Sequence, residues 1–351
     1  MKYIGNKSRL LEFIETALKD EGVPFEGTFC DIFSGTASVG FHFKKLNMRI
    51  ISNDLMTYSY YLQKVMLGMN STPKFLELKK AMQLEPSESL EALLDKVSKV
   101  EKKRGYFFNN FSPSGEYHRQ FFTDDNGMAI DAIRDSLDTW KDKGVINSIE
   151  FDYLLASLVN AADHVANMSG TYGAYLKIWR SVALKHIKML PIEIYDNSAV
   201  NQIWKKDANE LVNEIDGDIL YLDPPYNSRQ YASNFHVLES LCVWDKQELR
   251  GVVGLRDYQS QKSAFSSKKE AAKALRDLVS NANFKTIVLS YNNEGIIPRE
   301  EIIDILSSRG KLSEHTTDYR RFRTERNHEK RKYKDVDDRV TEHLWLVKVD
   351  N

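Results

Sequence analysis

The stretch Asp218-Ile219-Leu220-Tyr221-Leu222-Asp223-Pro224-Pro225-Tyr226 decides the fold of this chain. Its first five residues form a short apolar run, which predicts a buried strand over residues 218–222. Proline has no N–H group to donate to a strand ladder, so residues 223–226 must lie beyond the carboxyl end of that strand. Open α/β sheets bind their ligands at that end.

The four residues after this strand suit a flat ligand that carries an amino group. The Asp223 carboxylate and a proline carbonyl can accept two amine hydrogens, while the Tyr226 ring can stack on a base. Taken alone, the same residues are equally well explained as a strand-to-loop turn with a buried tyrosine.

Strand and helix patterns alternate on both sides of this stretch. The alternation predicts an α/β fold, a doubly wound and mainly parallel sheet that ends in an antiparallel hairpin. The other predicted strands are 28–33, 48–52, 200–206, 285–291, 311–319 and 342–349. Residues 71–192 instead show long helical patterns with loop-like pieces at 104–125 and 168–175. We therefore predict a discontinuous catalytic domain, 1–70 with 193–351, and an inserted, mostly helical domain, 71–192.

A small-residue turn follows the first predicted strand at Asp31-Ile32-Phe33-Ser34-Gly35-Thr36-Ala37-Ser38-Val39-Gly40. Gly35 allows a ligand to approach the backbone closely. Asp54 ends the second strand at roughly the 20-residue spacing at which nucleotide-binding sheets hold ribose hydroxyls. Asp207 ends the third strand. Each carboxylate taken singly is also explained as a helix N-cap or turn residue, and the absence of GxGxxG disfavours NAD.

Composition limits the cellular setting and the kind of partner. The chain has 351 residues, a net charge of −1 and two cysteines. Nucleic-acid binding must therefore come from local charge, and residues 318–334 carry eight basic side chains against three acidic ones. Two cysteines in apolar surroundings predict reduced thiols and a cytoplasmic location. If the basic residues bind DNA, a prokaryotic protein of this kind would be associated with the nucleoid. The sequence indicates no membrane span and no signal peptide. It contains no Cys/His cluster with zinc spacing, so no metal site is predicted.

Several motifs together resemble a known family. Asp223-Pro224-Pro225-Tyr226 looks like the signature of amino-group DNA methyltransferases, and Lys2-Tyr3-Ile4-Gly5-Asn6-Lys7 matches the K-[YW]-x-G-x-K start of the D12 class of adenine-N6 enzymes. The order of these motifs around a large insertion is that of the alpha group. Residues 226–231 and 170–177 are similar to a branch of FokI-type modification enzymes.

This resemblance implies a class I methyltransferase fold and S-adenosyl-L-methionine as cofactor. The cofactor residues would be Tyr3, Lys7, Asp31, Phe33, Ser34, Gly35, Thr36, Asp54, Leu55, Asp207, Ala208 and Asp223. The catalytic residues would be Asp223, Pro224, Pro225 and Tyr226, acting on N6 of an adenine flipped out of duplex DNA. The DNA-facing residues would be Arg229, Tyr231, Asn234, Arg320, Arg321 and Arg323.

Base readout is expected in the inserted domain, whose polar candidates are Arg104, Asn109, Asn110, Ser112, His118 and Arg119. A cognate restriction endonuclease that acts independently is a further expected partner.

Three alternatives remain open at this point. The same motif can serve a methyltransferase for cytosine N4, RNA or a protein glutamine amide. A catalytically silent DNA-binding protein would keep the fold, and a nucleotide-dependent oxidoreductase would share the sheet. The N-terminal motif, the motif order and the insertion favour adenine in DNA.

Overall fold

The computed structural model describes residues 7–320 and 339–350. Among these residues, seven strands form one sheet in the order β3-β2-β1-β4-β5-β7-β6. The strands are β1 (Thr28–Asp31), β2 (Arg49–Asn53), β3 (Gln202–Trp204), β4 (Asp216–Leu222), β5 (Asn283–Asn292), β6 (Gly310–Arg320) and β7 (Arg339–Val349). Strands β1 to β5 are parallel, and β7 pairs antiparallel with both β5 and β6. The predicted doubly wound α/β sheet with its terminal antiparallel hairpin is confirmed.

Two sets of helices accompany the sheet. The first set is α1 (Leu11–Asp20), α2 (Ser38–Lys45), α3 (Thr57–Gln63), α9 (Ala208–Leu211), α12 (Ala271–Asn281) and α13 (Arg299–Ser307). The second set is α4 (Leu76–Ala81), α5 (Leu90–Ser98), α6 (Tyr106–Phe111), α7 (Asp124–Asp142), α8 (Ser148–Val165), α10 (Tyr231–Asn234) and α11 (His236–Val243). Of the helices in the described ranges, none combines the length and hydropathy that a bilayer crossing requires.

Alternate residues of the strands enter two different packing layers, as the twofold period of a strand requires. Cys30, Leu220 and Leu289 belong to a buried cluster that also contains the apolar residues of α9, α12 and α13. The intervening Phe29 instead stacks on Phe43 of α2, with ring centroids 3.9 Å apart. The central strands are therefore covered on both faces, which explains why their sequences are almost continuously apolar.

The chain forms two compact units. The sheet unit comprises the described residues of 4–63, 195–231 and 259–351, and the helical unit comprises 64–194 and 232–258. These units differ from the predicted domains, because residues 64–70, 193–194 and 232–258 belong to the helical unit and were assigned to the catalytic domain. Helix α11 packs against α8, and the Arg134 side chain on α7 donates to the Leu241 carbonyl at 3.0 Å. These residues join the helical unit because its helices bury their apolar surface.

Helix α6 occupies a segment that the sequence predicts as a loop. Its first N–H groups have a cap that comes from another helix. The Asp131 carboxylate on α7 accepts hydrogen bonds from Phe107 N and Phe108 N, both at 2.8 Å. A carboxylate at a helix N-terminus satisfies free N–H groups and complements the helix dipole. Because the cap is distant in sequence, local patterns did not indicate it.

Helix α12 has no counterpart among the predicted elements. Its buried side chains are Ala271, Ala274, Leu275, Leu278 and Val279. Their spacing of three and four residues is the ordinary signal of an amphipathic helix. The signal was therefore present in the sequence, and the helix completes the packing on one face of β4 and β5.

A buried asparagine joins the ends of three neighbouring strands. Asn53 Nδ2 donates to the Ile32 carbonyl at 3.1 Å and to the Lys206 carbonyl at 3.0 Å, and Asn53 Oδ1 accepts from Lys206 N at 2.9 Å. Asn53 is 1% exposed. The amide therefore holds the segments that follow β1 and β3 against the end of β2.

We expect Asn53→Ala to lower the free energy of unfolding by about 1–3 kcal/mol, because it leaves buried backbone groups without partners. Urea unfolding of the full chain would measure this loss. Asn213→Ala is the matched control, since Asn213 is exposed on the same unit, and its effect should stay within about 0.5 kcal/mol. Equal stability of the two variants would contradict the role given to Asn53.

Candidate active site

Four aspartates lie at the carboxyl edge of the parallel strands. Asp31 is the last residue of β1, Asp54 follows β2, Asp207 follows β3 closely, and Asp223 follows β4. Strand register brings their strand ends together, since Asp31 pairs with Ser52 on one side and Tyr221 on the other. Parallel strands end at the same edge, so one surface of the sheet unit receives all four carboxylates.

The turn after β1 is held open by residues from β2 and α3. Gly35 and Ala37 both adopt left-handed backbone angles, with φ of +52° and +67°. Gly35 N donates to Asp54 Oδ2 at 2.9 Å, and the Ser59 hydroxyl donates to the Gly35 carbonyl. Gln63 donates in turn to Ser59 Oγ at 2.8 Å. These bonds fix the turn in a shape that a nucleotide can approach, and sequence reasoning missed Ser59 and Gln63.

Asp54 has a structural role besides the one predicted for it. Its Oδ2 accepts from Gly35 N, and its Oδ1 accepts from Met56 N at 2.8 Å. A carboxylate oxygen has two lone pairs and can accept more than one hydrogen bond, so these two bonds do not exclude a ribose hydroxyl. The prediction that Asp54 holds the ribose therefore stays compatible with the geometry.

The end of β3 supplies a cap and an unpaired donor. Asp207 Oδ1 accepts from Asn209 N at 2.8 Å, so Asp207 is the N-cap of α9, which was the simpler of the two explanations of this residue. Trp204 Nε1 is buried without a hydrogen-bond partner among the described residues. An indole N–H only donates, so this group suits an acceptor atom on a ligand.

Asp31 is fully buried and strongly perturbed. Burial and, to a smaller extent, the neighbouring charge of Asp223 together raise its pKa to about 8. Within the described part of the chain, its Oδ1 has no hydrogen-bond partner. A buried carboxyl in this state would be ionised most readily beside a cationic ligand group.

Asp223 contacts a buried lysine that a second carboxylate also holds. Lys7 Nζ lies 3.3 Å from Asp223 Oδ1 and 2.5 Å from Glu342 Oε1. The Ser290 hydroxyl donates to the same Glu342 oxygen at 2.5 Å. Lys7 was predicted to contact the cofactor, and the structure instead places its ammonium group between the two carboxylates. Glu342 and Ser290 were not predicted.

These charges shift each other's ionisation. Burial raises the pKa of Asp223, Lys7 lowers it and Glu342 raises it, and the net result is a pKa of about 7. Burial lowers the pKa of Lys7, but the charges of Asp223 and Glu342 outweigh that effect and hold its pKa well above the usual value. Lys7 is therefore a permanent cation, while Asp223 titrates near neutral pH.

The remaining predicted residues lie along the same edge with different exposure. Ser34, Gly35, Ala208 and Pro224 are buried, whereas Phe33, Thr36, Leu55, Pro225 and Tyr226 are partly exposed. The Tyr226 ring meets Tyr291 edge to face at a centroid distance of 6.4 Å. The Phe33 ring meets Phe265 in the same way at 5.0 Å. The stacking of Tyr226 on a base and the contact of Phe33 with the cofactor stay predictions.

The predicted DNA-facing residues are not equivalent. Arg229 is exposed and Tyr231 is partly exposed at the start of α10. Asn234 is only 4% exposed, and its carbonyl accepts from Tyr172 N at 2.8 Å within the helical unit. The structure therefore gives no support to a solvent-facing Asn234. Arg320 ends β6, but its side chain lies outside the described residues, as do Tyr3, Arg321 and Arg323.

Comparisons with known proteins now define the class. The profile of the D12 class N6 adenine-specific DNA methyltransferases matches residues 3–305. The chain is 40% identical over 350 residues to type II methyltransferase M.FokI of Planomicrobium okeanokoites, which covers 100% of this chain and 53% of that protein. It is 35% identical to type II methyltransferase M.NlaIII of Neisseria lactamica, over 93% of this chain and 95% of that one.

The chain belongs to the D12 class of N6 adenine-specific DNA methyltransferases, and its sheet is the class I methyltransferase fold. Modification methylase StsI of Streptococcus sanguinis is a further relative, 38% identical over 87% of this chain and 46% of its own length. The chain thus spans about half the length of M.FokI and StsI. The resemblance expected from the sequence is confirmed.

We expect Lys7→Met to lower the free energy of unfolding by about 3–5 kcal/mol at pH 8, since it leaves Asp223 and Glu342 buried without a cation. Without Lys7 the pKa of Asp223 rises above its value of about 7. A raised carboxyl pKa destabilises the fold increasingly as pH rises through that value, so the loss should be smaller at pH 5.

Urea unfolding at the two pH values would measure the difference between Lys7→Met and the unsubstituted chain. Lys285→Met is the control, because Lys285 forms an exposed ion pair with Asp218 and should matter little at either pH. A loss from Lys7→Met that does not depend on pH would contradict the proposed coupling.

Proposed function

We propose that the protein transfers a methyl group from S-adenosyl-L-methionine to N6 of a flipped-out adenine in double-stranded DNA. The observation that carries this proposal is Asp223 at the end of β4, followed by Pro224 and joined to Lys7. Family membership supports adenine as the target base, and the relatives' names support a role as a type II modification enzyme.

The carboxyl edge of the sheet suits the proposed cofactor. The unpaired Asp31 Oδ1 suits a cationic amino group, and the Gly35 turn suits the atoms next to it. The Asp54 carboxylate would accept from ribose hydroxyls, and Trp204 Nε1 offers a donor. The cofactor supplies an electrophilic methyl group, and the residues named here would bind and orient it.

Asp223 and Pro224 would prepare the amine of the base for attack. The Asp223 carboxylate accepts one N6 hydrogen, and the Pro224 carbonyl accepts the other. These bonds keep the nitrogen lone pair from delocalising into the ring, and the carboxylate stabilises the positive charge that develops on nitrogen. Tyr226 would stack on the base, which is worth about 1–3 kcal/mol.

Lys7 and Glu342 would act through Asp223 as positioning residues. Lys7 holds one carboxylate oxygen in place and favours the ionised form that accepts the amine hydrogen. Glu342 holds Lys7 and is itself held by Ser290. The carboxylate is therefore oriented before the base arrives, which lowers the reorganisation that the reaction requires.

A type II modification enzyme protects DNA from an endonuclease that reads the same site. We include such a partner, acting independently, in the proposal. The helical unit is the proposed target-recognition domain. An N4-cytosine or RNA methyltransferase remains the second candidate, because the Asp223 loop accepts any planar amine.

The decisive experiment incubates the protein with methyl-labelled cofactor and duplex DNA and then digests the DNA to nucleosides. We expect label in N6-methyl-2′-deoxyadenosine, whereas label in N4-methyl-2′-deoxycytidine, or label found only in a parallel incubation with RNA, would refute the adenine assignment. We expect Asp223→Ala to reduce turnover at least about a hundredfold while calorimetry shows cofactor binding largely retained. Asp216→Ala, an exposed residue at the other end of β4, is the matched control and should keep full activity.

The acid limb of the pH profile tests the charge arrangement. Because Asp223 must be ionised to accept the amine hydrogen and its pKa is about 7, kcat/KM should fall below neutral pH. Glu342 raises the pKa of Asp223, so Glu342→Gln should move this limb to lower pH. Ser290→Ala keeps the charge and should leave the limb in place. An unmoved limb in Glu342→Gln would disprove the coupling.

A further inference from the structure

The helical unit contains a basic segment, residues 176–190, that the proposed chemistry does not use. It includes four basic residues, Lys177, Arg180, Lys185 and Lys188, and no acidic residue. The structure forms no helix or strand over this range. The segment is therefore a surface loop whose charge has a single sign.

Two buried asparagines hold this loop in a defined shape. Near its start, Asn167 Nδ2 donates to the Leu176 carbonyl at 2.8 Å, and Asn167 Oδ1 accepts from Arg180 N at 3.1 Å. Near its end, Asn126 Nδ2 donates to the Lys185 carbonyl at 2.9 Å, and Asn126 Oδ1 accepts from Ile187 N at 2.9 Å. Asn167 and Asn126 are 0% and 1% exposed. Such anchoring presents the side chains between the anchors at little further entropic cost on binding.

The lysines of the loop have no internal partner. Lys177, Lys185 and Lys188 are exposed, and within the described ranges their ammonium groups make neither a hydrogen bond nor an ion pair. Arg180 is different, because its guanidinium donates to the Met168 carbonyl at 2.8 Å. Three unneutralised charges on a fixed backbone form a cationic surface.

The lysines at 99–103, also in the helical unit, differ from those of the basic segment because each has an acidic partner. Lys99 pairs with Asp95, Lys102 pairs with Asp125, and Lys103 pairs with Asp135, all within 2.6 Å. Their charge is already compensated within the protein. The basic segment is thus not simply one more solvated charged run.

Candidates for base readout within residues 104–125 are also less available than the sequence predicts. Arg119 is 4% exposed, and its guanidinium donates to the carbonyls of Asn110, Gly251 and Val252. Ser112 is fully buried. Arg119 and Ser112 therefore support the fold, whereas Arg104, Asn109 and His118 are exposed and stay candidates for base contact. The basic segment is a separate candidate for contact with the phosphates of a polyanion.

Exposed apolar side chains accompany the lysines. Ile178 is 84% exposed, and Leu184 and Leu190 are 59% and 58% exposed. Lysine is depleted in protein–protein interfaces, whereas phosphate contacts of DNA-binding proteins use it as a point charge. Lysines with an exposed isoleucine between them suit the backbone and groove of a duplex better than a protein surface.

We propose that Lys177, Lys185 and Lys188 bind phosphates of the DNA backbone and hold the duplex on the helical unit. The inference rests on the proposed function, because it takes duplex DNA as the substrate. The contacts are independent of base sequence and act on affinity and register rather than on the chemical step.

The salt dependence of DNA binding tests this assignment. Each phosphate contact that is lost should reduce the slope of log K against log salt by about 0.9. We therefore expect the combined variant Lys177→Ala, Lys185→Ala, Lys188→Ala to bind a labelled duplex of mixed sequence with a slope smaller by about 2–3. The measurement uses the full chain and fluorescence anisotropy over a salt series.

Lys99→Ala is the matched control, since Lys99 lies in the same unit but pairs with Asp95, and its slope should equal that of the unsubstituted chain. Circular dichroism and melting temperature would show that the triple variant remains folded. If the unsubstituted protein binds and methylates the duplex but the triple variant keeps the full slope, the inference is overturned while the proposed function stands. If no duplex is bound or methylated at all, both are refuted.

Discussion

The central strand β4 cannot continue past Leu222, and the rest of the site depends on that limit. Pro224 and Pro225 have no N–H group, so the ladder with β1 and β5 stops and the chain turns out at the edge. Because β1, β2 and β3 run parallel to β4, their ends meet the same edge. The aspartates at the ends of these strands therefore lie at the same edge as the Asp223 loop.

The charge on Asp223 results from two opposed effects. Burial favours the neutral carboxyl, while Lys7 favours the ionised form, and the outcome is a pKa of about 7. Glu342 reaches this pair because β7 is antiparallel to β5 and begins at the edge where the parallel strands end. In the β5–β7 ladder, Glu342 is paired with Asn292, the last residue of β5. The antiparallel hairpin therefore contributes the Glu342 carboxylate to an edge whose other carboxylates come from the ends of parallel strands.

The helical unit uses buried polar side chains to hold irregular backbone. Asp131 caps α6, while Asn126 and Asn167 hold the basic segment. Buried polar groups need partners, and here the partners are the first N–H groups of α6 and the irregular backbone of the basic segment. Polar residues of the helical unit therefore differ in role, since some support the backbone and others face solvent. Of the base-readout candidates, Asn110, Ser112 and Arg119 are internal, whereas Arg104, Asn109 and His118 are exposed, as are the lysines of the basic segment.

The sequence by itself determined the strands, their alternation with helices, the edge at which ligands bind and the family. These features follow from local spacing, from the chemistry of proline and from short motifs. The spacing of apolar residues over α12 is also sufficient to predict that helix from the sequence. Only the tertiary structure decided that residues 232–258 join the helical unit, that Asp131 caps α6 and that Lys7 lies between Asp223 and Glu342. Those outcomes depend on contacts between residues far apart in the chain, which no local pattern records.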